Sequence, residues 1–180
     1  TSGYRTKFMQ SLPIVMDSSS LSNGVDISAY HAFSEDVIGS IKFFGRTIHG
    51  LNDEDVRVTS RLYLPTKRLR GFKTSRVGPK DGDDWVGGNY AAALGFEAQL
   101  PNLLPETSRT DISAFLDTGN VWGVDYSDIL DDTNKIRSSI GVAANVFTVI
   151  GPLSFTLAQD ITKSNTDETE RFNFRIGTSF

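Results

Sequence analysis

The side chains of this 180-residue chain that could do chemistry are charges rather than nucleophiles. There is no cysteine, so neither a disulfide framework nor a thiolate metal site is available. The two histidines, His31 and His49, stand too far apart in sequence for a zinc spacing. No Ser/His/Asp set and no spaced carboxylate pair has the context of a catalytic site, so no enzyme, catalytic residue, metal or cofactor is expected. What remains is a basic cluster, Lys67, Arg68, Arg70, Lys73 and Arg76, and two carboxylates that alternation turns inward, Glu97 and Asp117. A guanidinium is a rigid fork of donors that matches a carboxylate. Read alone, "KRLRGFK" is a solvated basic loop; beside inward-facing carboxylates it is a set of donors for them. "DGDD" at 81–84 offers carboxylates but lacks the spacing of a calcium loop. Asp125, Asp128, Asp131 and Asp132 read as a solvated acidic loop.

The elements that position these charges are strands. Helical periodicity is weak, while period-2 segments bounded by turn residues recur. Eight strands are expected, at about 3–16, 25–33, 40–48, 89–100, 110–118, 136–150, 153–158 and 171–180. The fourth alternates cleanly: Tyr90, Ala92, Leu94, Phe96, Ala98 and Leu100 share one face, and Glu97 lies on the other. In the fifth, Ile112, Ala114 and Leu116 point outward, and Asp111, Ser113, Phe115 and Asp117 inward. Pro13 in the first strand suggests a bulge or an edge. His31 falls on the apolar face of the second, with no function assigned. The chain closes on Phe172, Phe174 and Ile176 along one side, against Arg171, Asn173, Arg175 and Gly177, and ends at Phe180. Between the third and fourth strands, about 50–87 is too long for an ordinary connection. It holds the basic cluster.

Connections alternate between short ones near 35, 101 and 151 and long ones near 20, 68, 128 and 165. One face is apolar and the other small, polar and charged. A soluble ligand barrel would load the opposite way, with bulky apolar residues inside. Strands of about 9–11 residues with a polar interior form the pattern of a transmembrane β-barrel. A soluble antiparallel sandwich or ligand-binding β-barrel is the competing reading. Mean hydropathy of -0.22 does not decide between them, because barrel strands spread lipid-facing residues over alternate positions. No apolar run approaches the roughly 18 residues of a membrane helix. The net charge of -4 argues against nucleic acid as a partner. Thr1 is not a natural start, so the chain is expected to be a piece of something longer.

Four stretches sharpen this: "LRGF" at 69–72, "FLDTGNVW" at 115–122, "IGPLSFTLAQ" at 150–159 and "RFNFRIGTSF" at 171–180. In that order and spacing the chain resembles the C-terminal half of the barrel of the BamA family, the bacterial outer-membrane protein assembly factors of the surface-antigen/POTRA-barrel superfamily. The likeness spans nearly the whole chain and is strongest from Leu69 onward, where the family more often has Val. It implies an all-β, antiparallel up-and-down transmembrane barrel. The eight strands here would be its last half, and the periplasmic POTRA domains lie outside this sequence. It further implies that the loop at about 50–87 folds into the lumen and that Leu69, Arg70, Gly71 and Phe72 form its tip. Arg70 would be pinned to the wall by acidic residues at the positions of Glu97 and Asp117. Phe172, Phe174, Ile176, Gly177 and Phe180 would form the last barrel strand, one side of a seam that opens laterally.

The function implied is insertion of β-barrel proteins into the bacterial outer membrane by templating at that seam, without covalent chemistry. A two-partner secretion type transporter pore of the same superfamily is the alternative. The implied partners are outer-membrane lipids, unfolded barrel clients and, through POTRA domains, accessory assembly lipoproteins. An open sheet of eight strands exposes two edges. The chain is therefore expected to self-associate, to close in a non-native way, or to form part of a larger barrel.

Overall fold

A computed structural model describes residues 2–13, 20–130, 135–149 and 151–177. Eight long strands form one sheet: β1 (Ser2–Ser11), β2 (Ser20–Ala32), β3 (Ile38–Gly50), β6 (Tyr90–Leu100), β7 (Thr110–Trp122), β8 (Arg137–Thr148), β9 (Gly151–Thr162) and β10 (Phe172–Ile176). Two two-residue strands, β4 (Lys80–Asp81) and β5 (Asp84–Trp85), pair separately within the loop between β3 and β6. The sheet order is β1-β2-β3-β6-β7-β8-β9-β10 and every neighbouring pair is antiparallel. It is a meander that does not close: β1 and β10 are the two ends of the sheet.

Alternation sorts the side chains as the pattern requires. Tyr4, Phe8, Ile27, Ile41, Phe96, Leu116, Ile140, Leu157 and Phe174 are all exposed on the convex face. Phe44, Ala91, Ala93, Phe115, Asp117, Ser139 and Ala158 are buried on the concave face. A water-soluble sheet cannot leave so continuous an apolar surface bare, whereas a lipid-facing one must carry it. No helix among the described residues is long and apolar enough to cross a membrane.

Several strands run further than the alternation does. β2 begins at Ser20, so part of "DSSSLSNG" is strand rather than linker, and Ser22 and Asn23 pair on both sides with β1 and β3. β7 continues to Trp122 and β9 to Thr162. All three extensions lie at the end of the sheet that carries the long loops. A strand of 13 residues at about 3.3 Å each is about 43 Å long, more than a tilted strand needs to cross an apolar band of about 25 Å. The surplus forms a polar rim, where no apolar face is required. Among the described residues β10 ends at Ile176, and positions 178–180 of the last expected strand lie outside them. Residues 14–16 of the first expected strand lie outside the described residues, as do Asp131, Asp132 and Phe180.

Candidate functional site: the loop docked on the inner wall

The segment between β3 and β6 packs on the concave face. Leu64, Leu69, Phe72 and Val77 from the loop join Phe44, Ala91, Ala93 and Val121 from the wall in one buried cluster. Leu69 and Phe72, flanking Arg70 and Gly71, are each only 2% exposed. Short 3-10 turns at Val58–Ser60 and Thr66–Arg68 and the β4–β5 hairpin give the loop its own backbone pairing. The turn at Thr66–Arg68 delivers the chain to its tip.

At that tip Arg70 meets Asp117. Nε donates to one carboxylate oxygen at 2.7 Å and Nη2 to the other at 2.9 Å, while the Arg70 backbone N–H donates to the first at 3.1 Å. Asp117 is 1% exposed, so this charge lives on its partners alone. The Arg70 guanidinium also sits 3.5 Å above the centroid of the Phe115 ring, two residues along the same inward face. Glu97 is nearby but looser, with its carboxylate 3.6 Å from Arg70 Nη1. Its closer partners are Lys42 Nζ at 2.7 Å and the Ser113 hydroxyl at 2.8 Å. The structure thus brings Arg70 onto Asp117 with bidentate geometry and leaves Glu97 chiefly to Lys42 and Ser113.

Gly71 has φ of +89°, and a Cβ there would lie 2.9 Å from Ala158 Cβ and 3.3 Å from Ser139 Cβ. The turn after the arginine needs glycine for both reasons. The Ser139 hydroxyl donates to the Arg70 carbonyl. Beyond it the loop pairs with the segment leading into β10. Glu170 N–H donates to the Gly71 carbonyl, Phe72 bridges Thr169, and Lys73 N–H donates to the Glu168 carbonyl. The Lys73 ammonium, 2.7 Å from Glu168, holds that carboxyl below its usual range.

Further anchors support the loop. Arg68 and Arg46 share Asp26, at 2.9 and 2.7 Å, and both lie over Phe44. At the rim, Asp125 accepts from the Val56 N–H, the Asn89 amide and Arg61. Partial burial alone would push the Asp125 carboxyl up, but these donors more than offset it and hold it below the usual range. Arg137 and Asp167 form a second bidentate pair, at 2.9 and 3.0 Å, with both side chains fully buried.

Strand parity brings out Glu97 and Asp117 from sequence. It also places Phe115 and Ser113 on the inner face, though not what they touch. Asp26, Lys42 and Asp167 gave no separate signal. Asp81 of "DGDD" accepts from Tyr126 in the β4–β5 hairpin, and His31 stands edge-on to Phe33 at 5.2 Å.

In β10, Phe172, Phe174 and Ile176 face outward, and Phe174 lies 5.0 Å from Phe155. β10 pairs with β9 over five residues, and Gly177 follows it with an N–H bond to the Pro152 carbonyl at 3.3 Å.

Residues 1–180 match the Omp85 superfamily domain. The outer membrane protein assembly factor BamA of Neisseria meningitidis serogroup B is 30% identical over 139 residues, 62% of this chain and 17% of that protein. BamA of Neorickettsia risticii is 27% identical over 151 residues, 82% of this chain and 20% of that protein. The chain therefore spans about a fifth of the length of these relatives. The crystal structure of BamA from Haemophilus ducreyi lacking POTRA domains 1–3 superposes with a TM-score of 0.83 at 24% identity, over 96% of this chain and 38% of that one. That likeness establishes the barrel-wall fold. The family and the relatives place the chain in the bacterial outer membrane. The chain belongs to the Omp85 superfamily, as eight strands of a transmembrane β-barrel wall.

Proposed function

We propose that this chain is the C-terminal wall of an outer-membrane assembly factor that folds and inserts β-barrel proteins without covalent chemistry. The observation that carries the reading is the disparity at the end of the sheet. Among the described residues β10 is held by five residue pairs, whereas β2 and β3 share thirteen. A strand held by so few pairs parts from its neighbours at low cost and then offers its backbone donors and acceptors to an incoming strand. The docked loop complements it. The Arg70–Asp117 pair fixes the loop tip, and the loop in turn pairs with residues 168–170 just ahead of β10. In this reading the latch holds the root of the seam strand. Lipids cover the convex face, unfolded barrel clients engage the edge, and accessory lipoproteins act through POTRA domains.

The test is reconstitution of the full-length factor in proteoliposomes with a client barrel protein. A disulfide tying β10 to the first barrel strand is expected to abolish client insertion, and reduction to restore it. Insertion at the normal rate with the seam locked overturns the proposal. So does export of a dedicated substrate with no insertion activity.

A further inference from the structure

We infer that the lipid-facing side of the wall holds a seat for one phospholipid molecule, with an acyl chain in a slot across β3, β6 and β7 and the phosphodiester against His31. The slot comes from the cross-strand register. His31, Gly39, Ala98 and Ala114 stand directly opposite one another along one outward row. The next row, Ile41, Phe96, Leu116 and Ile140, is bulky throughout. On the other side Leu100 pairs with Ile112. The Phe33 ring closes the β2 end by lying over Gly39, where a Cβ would collide with it. A row of small residues between bulky ones leaves a trough, and an apolar cavity of about 540 Å³ lies there.

Depth decides which part of a lipid meets which residue. The slot adjoins the 33–37 turn, at the end of the sheet opposite the one that carries the 51–89 loop. Short turns mark the periplasmic end of outer-membrane barrels. His31 is the last residue but one of β2 before that turn, where hydrocarbon gives way to headgroups. Outward positions of β2, β3, β6 and β7 hold no Asp, Glu, Lys or Arg; they hold two histidines, one at each end.

The surroundings of the two histidines differ. His49, beside the long loop, stands edge-on to Tyr90, which stacks on Trp122, so rings fill the space beside it. His31 is exposed, edge-on to Phe33, and makes no hydrogen bond among the described residues. In either protonation state an imidazole carries an N–H donor. A phosphodiester is an anionic acceptor, and hydrogen bonds to charged groups are the strong ones. Acyl chains alone would not select an occupant, because one lipid tail is as apolar as the next and as the wall itself. The headgroup contact supplies the preference, and the slot fixes the chain beneath it.

The test uses the full-length factor in maltoside micelles with phosphatidylglycerol that carries a diazirine in one acyl chain. Crosslinks are expected to concentrate on the peptides containing Ala98 and Ala114. Unlabelled phosphatidylglycerol should compete about tenfold more effectively than the diacylglycerol of the same chains, as one hydrogen bond to a charged group provides. Ala114→Leu, which fills the slot, should cut those crosslinks severalfold. His31→Phe should abolish the preference for the phosphate, His31→Lys should keep it, and His49→Phe should leave it unchanged. Crosslinks spread evenly over the outer wall overturn the inference, as does equal competition by the two lipids or a preference that survives His31→Phe. None of these readouts involves client insertion, so their failure is distinct from failure of the proposed activity.

Discussion

Replacing Arg70 by Ala tests whether the tip contact, rather than the apolar cluster around it, holds the loop on the wall. Asp117 is 1% exposed and receives three hydrogen bonds from Arg70, two of them from the side chain. The substitution leaves a buried carboxylate with one backbone donor. Removing one partner of a buried pair costs about 3–5 kcal/mol. Arg70 retains 12% side-chain exposure, which points to the lower end, about 3 kcal/mol or roughly a hundredfold in the docking equilibrium. Hydrogen exchange reads this directly, because the loop pairs through the N–H groups of Lys73, Glu168 and Glu170. Those amides should exchange about a hundredfold faster in Arg70→Ala, while the β2–β3 ladder stays protected. Arg70→Lys keeps the charge but loses the fork, and should fall between. In a cycle with Asp117→Asn, the double variant should be little worse than Arg70→Ala, a coupling of at least ~1 kcal/mol. Additive effects, or exchange unchanged in Arg70→Ala, would refute the latch.

Gly71→Ala should also release the tip, because φ of +89° costs an L-residue about 1–3 kcal/mol and the new Cβ meets Ala158; Gly82→Ala, with φ of +58° but nothing within 4 Å, carries backbone strain without a clash and should speed loop exchange less. Arg137→Met should destabilise by about 3–5 kcal/mol by stranding fully buried Asp167, and adding Asp167→Leu should recover much of the loss in a urea titration in micelles. The pH response of Asp125 has a defined sign. Its folded pKa lies below the ordinary 3.8, so its contribution is present above about pH 4 and is lost as pH falls through the depressed folded value. Exchange at Val56 should therefore be flat in its protection from pH 6 to 8, rise only in acid, and be raised at every pH in Asp125→Asn.

The wall was legible because a lipid-facing strand must place apolar residues at every second position, and one residue of known parity fixes the whole strand. Asp117, Phe115 and Ser113 share a parity, so assigning Leu116 outward assigned them inward. Strand ends were not legible for the same reason. Ser20–Gly24, Gly119–Trp122 and Gln159–Thr162 form the rim beyond the apolar band, where hydrogen bonding continues without a lipid-facing alternation to mark it, even though the loop buries Val121 on the inner side. The loop was harder still. A run such as "KRLRGFK" is indistinguishable from a solvated loop until the wall supplies Phe44, Val121 and Asp117 around it. The partnership of Arg137 with Asp167 joins a strand of readable parity to "TKSNTDETE", whose polar composition suggests only solvent.

The distribution of charge across the concave face separates what this wall completes by itself from what it leaves open. In its middle, over β2 to β8, the cations are matched: Arg46 and Arg68 by Asp26, Lys42 by Glu97, Arg70 by Asp117, Arg137 by Asp167. These pairs hold a loop whose tip has to remain inside a water-accessible lumen, where apolar burial alone would leave its polar backbone unsatisfied. Arg5, Lys7, Lys67 and Arg175 line the same cavity with no ion pair among the described residues, and all four are exposed, so water serves them. The docked tip has no such recourse: Asp117 is buried, and its charge is stable there only because Arg70 lies opposite it.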